Sequence, residues 1–365
     1  MTARKLTAQI RRARGQDRAD TARPREARIS ALIFALALAA CTGDDGRQPL
    51  VVYSTHGRDM LQAFEQRFEA ANPGVDVQWL DMGSQEVLDR LRSERANPQA
   101  DVWWGAPADM FETAKREGLL EPFTPSWADA AREHSDPEGH WWATYLTPEV
   151  IAFNSQAVPI AEAPRDWDEV LEPRWKDKVL IRDPIASGTM RAIFGMVIYR
   201  SIRQTGDTAA GFDWLRRLDA QTKEYVLNPT LLYQKLARQE GLVTLWDMPD
   251  IEIVKNRNGL PLDYVIPRSG TPLIVDGVAV VRGARHPELA RQFVEYVGGT
   301  EGVLLAAREF YRLPARADLP PDSLPESLRR ARAAIVPEPM DWVLLRERLP
   351  AWMRLWDEQV RGRGR

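Results

Sequence analysis

The chain has 365 residues, 44% of them hydrophobic, a single cysteine and a formal net charge of −3. That length and apolar content suffice for two α/β domains of about 100–200 residues, each with its own core. The slightly acidic balance argues against nucleic acid, whose phosphates demand clustered Lys and Arg, and one cysteine excludes a framework of intrachain disulfides.

Residues 1–40 hold nine Lys or Arg against three acids and end on a twelve-residue apolar run, 29–40, directly before Cys41. A basic start, an apolar stretch of roughly 7–15 residues and small residues before a cut are the parts of a secretory signal peptide. A spanning helix would need about 20 apolar residues. Cleavage after residue 40 leaves 40 basic and 49 acidic residues, a mature charge of about −9. Residues 41–49 then form a short polar tether, TGDDGRQP following the cysteine.

From residue 50 short apolar strands alternate with amphipathic helices. Strand 50–54 precedes a helix carrying Leu61, Phe64, Phe68 and Ala71, which Asn72-Pro73-Gly74 stops. Strand 75–80 leads to a helix around Val87, Leu88 and Leu91; strand 100–105 leads to a helix over 110–117 that closes at Gly118. The alternation resumes with strand 178–183, helices from Thr189 and over 228–239, and strands 242–246 and 262–266. This order implies a mostly parallel sheet in each of two α/β lobes. Apolar strands 149–154 and 273–281 lie between the blocks and read as two hinge crossings. Helices are expected over 286–297, 301–310 and 342–360, with a surface loop over 314–325.

Catalytic motifs are poorly represented. The chain has no G-x-S-x-G elbow, H-E-x-x-H, P-loop or G-x-G-x-x-G, and His56, His134, His140 and His286 are scattered. No catalytic residue, metal site or cofactor is therefore expected. The competing reading is an exported hydrolase that uses His56 with a nearby acid.

Two resemblances sharpen these readings. Leu38-Ala39-Ala40-Cys41 resembles the lipobox of bacterial lipoproteins. It implies that the Cys41 thiol carries diacylglycerol, with acyl chains such as palmitate, and anchors the chain to a membrane; the alternative is an ordinary leader with an incidental cysteine. The segments VVYSTHG (51–57), GSQEVLDRLRSERANPQADVWWGAPADM (83–110), GLLEPF (118–123), RDPIASGTM (182–190) and DGVAVVRGARHPELARQFVEYVGGTEG (276–302) resemble the solute-binding lipoproteins of bacterial ABC importers. The branch in question includes ferric-ion, phosphonate, thiamine and sugar-phosphate binders. The resemblance implies an α/β, two-lobed periplasmic-binding-protein-like fold of type II, with two hinge crossings and a ligand cleft between the lobes. Lobe 1 would comprise 50–150 plus 277–365, and lobe 2 would comprise 151–276. The partners it implies are a small-molecule ligand and the importer's permease; the protein would be a monomer in the periplasm or at the cell surface. A ligand-presenting sensor subunit is the remaining alternative.

Ligands of open α/β sheets gather at the carboxyl ends of strands, so the strand-end loops supply the candidate residues. These are Ser54, Thr55, His56 and Gly57 after the first strand, Gly83 and Ser84 after the second, and Trp104 and Gly105 after the third. Tyr145 stands before the first crossing and Asp276 lies on the second. Ser187-Gly188-Thr189 offers two hydroxyls and helix-start N–H groups to an anion, or else simply caps the helix. Trp246 and Asp247 end a second-lobe strand, where Asp250 reads as a cap for the next helix. The ferric binders carry adjacent tyrosines at about this place; their absence here counts against iron(III). The loops favour a small anion such as a phosphonate or organophosphate, whereas Asp247 and the acidic body suit an amine. A zwitterion such as an aminophosphonate meets both conditions.

Overall fold

The computed structural model describes residues 46–363; the segment read as a signal peptide, Cys41 and most of the expected tether lie outside them. The first block runs β1 (Gln48–Ser54), α1 (Arg58–Ala71), β2 (Val75–Asp81), α2 (Ser84–Ser93), β3 (Val102–Pro107), α3 (Ala108–Arg116), β4 (Leu120–Glu121) and α4 (Ala128–Ala131). There follow β5 (Trp142–Asn154), β6 (Val179–Arg182), α5 (Gly188–Thr205), α6 (Ala209–Gln221), β7 (Thr222–Val226), α7 (Pro229–Ala237), β8 (Val243–Asp247), α8 (Met248–Asn256) and β9 (Leu262–Val265). The chain closes with β10 (Leu273–Val281), α9 (Pro287–Gly298), α10 (Thr300–Phe310), β11 (Leu313–Pro314), α11 (Glu326–Ala334) and α12 (Trp342–Gln359). Among the described residues no helix is long and apolar enough to cross a membrane.

The strand order is β2-β1-β3-β10-β5-β8-β6-β7. β1 is parallel to both β2 and β3, and β10 runs antiparallel to β3 and β5. β5 is the shared member. Its residues 142–148 pair with β10, and residues 149–154 pair with β8 and β9. At the changeover the Thr271 hydroxyl donates to the Glu149 carbonyl at 2.6 Å, and the Glu149 N–H donates to Pro272 O at 3.3 Å. The two crossing segments are thus bonded to one another where they pass between lobes. The strand that makes the first crossing begins earlier than the sequence suggested and runs unbroken from Trp142, while the change of partners falls at Glu149.

Period-two alternation explains the first lobe's two buried faces. Trp104 joins Phe64, Phe68 and Phe293 on one side of the sheet, while its neighbour Trp103 joins Tyr53, Phe111 and Trp141 on the other. In the second lobe Ile151, Phe153, Leu180 and Leu245 share one buried cluster with Phe194 of α5.

The last two helices belong to that second core. On α12, Leu345, Leu349, Met353 and Trp356 form one buried stripe at spacings of four, four and three. Gly195 on α5 makes room for it: a Cβ there would come within 3.1 Å of Leu345 and 3.2 Å of Leu349. Trp356 meets Phe194 edge-on at 5.4 Å, and Arg361 stacks on Trp356 and pairs with Asp183 at 2.6 Å. This packing differs from the expectation that all of 277–365 accompanies the first lobe. Nor is 314–325 simply a surface loop: Pro314 completes β11, and Arg316, 7% exposed, donates to the Gly298 carbonyl at 3.0 Å.

Replacing Trp356 with Ala should cost about 3–5 kcal/mol of stability, the usual range for emptying a large aromatic site. Urea denaturation followed by circular dichroism measures it. A loss below about 1 kcal/mol would mean that α12 is an appendage and not part of the core.

Candidate functional site

One cleft of about 600 Å³ lies where the carboxyl ends of β1, β2, β3, β6 and β8 meet. The helices that follow those strands, together with α7, begin on its wall. Gly57 and Arg58 start α1, Gly83 and Ser84 start α2, Pro107 precedes α3, Ser187-Gly188-Thr189 starts α5, Asn228 precedes α7 and Asp247 precedes α8. Each helix start leaves N–H groups without an intrahelical acceptor and the positive end of a peptide dipole array. Side chains satisfy part of this demand. Ser187 Oγ accepts from Met190 N at 3.2 Å, Asn228 Oδ1 from Leu231 N at 2.8 Å and Asp247 Oδ1 from Asp250 N at 3.0 Å. α1, α2 and α3 have no side-chain cap. The first-lobe and second-lobe rims approach at α5, where a Cβ on Gly188 would lie 3.1 Å from Pro107 Cγ and 3.6 Å from Ser84 Oγ.

The cleft also carries a cluster of acids. Asp250, in the first turn of α8, accepts from Tyr233 Oη at 2.7 Å and Trp246 Nε1 at 3.3 Å, and pairs with Arg312 Nη2 at 3.3 Å. The cap on α8 is therefore Asp247, and Asp250 is instead the hub of a polar cluster. Burial, then the nearby Asp250 charge, pushes the Asp247 carboxyl well above the usual range. Burial pushes Asp276 up to about 6, against the pull of the Arg312 guanidinium and the Thr147 hydroxyl that bonds it. Asp81, on the first-lobe wall, is raised by burial and by Asp250. Arg312 follows α10 and is 7% exposed.

His56 forms part of the same wall. Burial, and then the Arg312 charge, holds its imidazole well below the usual pKa, so it is neutral. Its ring meets Trp104 edge-on at 4.6 Å and Tyr145 at 5.7 Å. Gly105 permits that placement. With φ at +85°, a Cβ would fall 2.7 Å from His56 Cε1 and 2.9 Å from Thr55 Oγ1, so only glycine fits.

Of the residues singled out in the sequence, Thr55, His56, Gly57, Gly83, Ser84, Ser187, Gly188, Thr189, Trp246, Asp247 and Asp276 line the cleft. Ser54, Trp104, Gly105 and Tyr145 do not; they stand behind it. Trp104 is fully buried against Phe64 at 4.7 Å and His56, so it offers no free face for stacking. Ser54 Oγ accepts from the His56 N–H at 3.3 Å and shapes the loop. Arg312, Arg182, Asp81, Thr147, Tyr233 and Asn228 also line the cleft and were not anticipated. Asn228 carries the signal Asn-Pro at a helix start, but Arg312 reaches the site only through the return of the chain after α10. Another depression, about 640 Å³, lies beside Trp127, Thr300 and Arg316; it is more open and no parallel strand ends in it.

A sequence profile of the bacterial extracellular solute-binding proteins matches residues 97–338. A Sinorhizobium fredii protein named as an ABC transporter periplasmic-binding protein is 27% identical over 324 residues, which is 86% of each chain. A Salmonella typhimurium protein named for binding 2-aminoethylphosphonate in the periplasm is 24% identical over 306 residues, covering 78% of this chain and 79% of that one. Among solved structures, the Actinobacillus pleuropneumoniae periplasmic binding protein with bound fructose-6-phosphate superposes with a TM-score of 0.73 at 23% identity, over 86% of this chain and 99% of that one. Two lobes, two bonded crossings and a cleft ringed by helix starts agree with that match: the chain belongs to the family of bacterial extracellular solute-binding proteins.

Proposed function

We propose that the protein captures a small solute bearing a phosphonate or phosphate group and hands it to the permease of an ABC importer. The observation that carries this reading is the convergence of six helix starts on one cleft, which sets a positive field and unpaired N–H groups around the place an oxyanion would occupy. A relative named for binding 2-aminoethylphosphonate, and a structural neighbour solved with exogenous fructose-6-phosphate bound, lend it support. Iron(III) suits the site less well. The cleft tyrosine, Tyr233, donates its hydroxyl to Asp250, and burial together with that carboxylate pushes the phenol well above its usual pKa, away from the phenolate that iron prefers. A hydrolase using His56 is disfavoured because the ring is buried against Trp104 and Tyr145 and its Nε2 has no hydrogen-bond partner among the described residues, so no acid orients that nitrogen.

Capture requires the lobes to close on the solute more favourably than to open, since equal affinity for both states shifts nothing. The hinge of this motion is the bonded pair at 148–149 and 271–273. We place lobe 1 at about 50–148 and 273–312, and lobe 2 at about 149–271 with 324–363, the C-terminal helices moving with the second core. The remaining parts of the reading are export by the 1–40 leader, a diacylglycerol anchor on Cys41 and a monomer held at the membrane beside its permease.

In calorimetric titration against phosphonates, sugar phosphates, thiamine and iron(III), a phosphorus-bearing solute should bind. Ser84→Ala and Thr189→Ala should each weaken it about tenfold, the worth of roughly one hydrogen bond to a charged group. Ser187→Ala should also lower stability by about 1 kcal/mol through loss of the cap. Unchanged affinity in all three variants, or binding of iron(III) alone, would contradict the proposal. For the anchor, Cys41→Ala expressed in a bacterium should leave solute affinity intact and move the protein from the membrane to the soluble fraction; retention in the membrane would refute lipidation at this residue.

A further inference from the structure

Behind the cleft lining, one face of β5 carries Tyr145, Thr147 and Glu149. Register adds two more acids to that face, because Asp247 on β8 is the partner of Glu149 and Asp276 on β10 is the partner of Tyr145. Glu149 is fully buried, and neither of its carboxylate oxygens has a hydrogen-bond partner among the described residues. The Tyr145 hydroxyl and Arg312 Nε are likewise buried without one. The charged groups acting on Glu149 are Asp247, Asp276, Asp250 and, opposing them, Arg312. Four carboxyl groups thus share one guanidinium, and His56 adds no charge because it is neutral. An unpartnered buried carboxylate is costly, and burial together with Asp247 and Asp276 drives Glu149 well above its usual range. Without a cation the cluster meets its shortage of positive charge with protons. A cation would meet it better.

We propose, building on the reading that the cleft takes a phosphonate- or phosphate-bearing solute, that Asp247 and Asp276 form a subsite for a primary ammonium group on that solute. Glu149 stands behind them as a positioning carboxyl that gives up its proton as the ammonium docks. The proton passes from the Glu149 carboxyl to solvent, a proton held by Asp247 leaves the same way in both the wild-type protein and Glu149→Gln, the ammonium keeps its own three protons as donors, and no other bond changes. The solute class is a zwitterion, with its oxyanion at the helix starts and its amine at the carboxylates.

The direct test pairs 2-aminoethylphosphonate with ethylphosphonate, which lacks the amine, in titration calorimetry across buffers of different ionisation enthalpy. The wild-type protein should prefer the aminophosphonate at least tenfold and release about one proton more on binding it than does Glu149→Gln, the solute's own titration cancelling between the two proteins. In Glu149→Gln the preference should fall about tenfold; Asp276→Asn, the second variant, should reduce it as well. Equal affinity for the two phosphonates, or the same proton release in both proteins, would overturn the ammonium subsite while leaving phosphonate capture standing. If neither phosphonate binds, the reading of an anionic solute fails instead, and the subsite is judged on the empty protein. There, folded carboxyls with raised pKa hold more protons than the unfolded chain does, so the melting temperature should fall as pH rises from about 5 to 8. That fall should be shallower in Glu149→Gln, and an identical profile would overturn the proposal.

Discussion

Strand β5 runs thirteen residues without a break and changes its hydrogen-bonding partner halfway along. Its first half is held by β10 and its second by β8 and β9, so a single extended segment is a member of both lobes. A strand cannot bend far without losing its ladder, and its partners change where Thr271 and Pro272 bond the backbone of Glu149. The first crossing is therefore made at one point, and the Arg312–Asp250 ion pair links the two sides again. The same alternation that buries Ile151 and Phe153 in the second core puts Tyr145, Thr147 and Glu149 on one face, in company with Asp247 and Asp276. The hinge and the acidic floor of the cleft are two consequences of one register.

The cleft combines two opposing fields. Helix starts contribute partial positive charge at its rim, about half a unit charge each and fading within a turn. The Asp247 and Asp276 carboxyls, whose protons burial helps to retain, contribute negative charge once those protons leave, and water is poorly placed to screen it. These do not cancel, because they arise at different residues: the uncapped starts of α1, α2 and α3 on one hand, and the Asp247 and Asp276 carboxyls on the other. An oxyanion is favoured at Ser84, Gly188 and Thr189, and repelled from the floor; a cation is favoured at the floor and repelled from the rim. Arg312, with its ion pair to Asp250, tempers the floor and also ties the segment after α10 to the first turn of α8. A dipolar solute oriented along the cleft satisfies both fields, whereas a simple anion satisfies one.

Much of this was legible in the sequence because local patterns carry it. Alternation of short apolar runs with three-and-four periodicity located β1 to α3, β6, β8 and β10, and strand-end glycines and hydroxyls marked Gly57, Gly83, Ser84 and Ser187 to Thr189. The difficulties arose where tertiary partners decide. α6 and β7 carry weaker punctuation and were passed over. The stripe on α12 announces a helix but not which core receives it; Gly195, 150 residues away, settles that. Trp104 ends a strand, as a ligand-stacking residue would, yet period-two alternation turns it into the core against Phe64. Asp250 and Asp247 are both suited to cap α8, and only the backbone geometry at the strand end assigns the cap to Asp247. Arg312 had no local signature, since its role comes from the acids it meets.

Native mass spectrometry of protein purified without added ligand, compared with the same sample denatured, identifies what the cleft holds. The account predicts a one-to-one adduct that departs on denaturation, whose fragments contain phosphorus and a primary amine. An adduct of iron, or a phosphorus-free and amine-free solute filling the cleft, would contradict it.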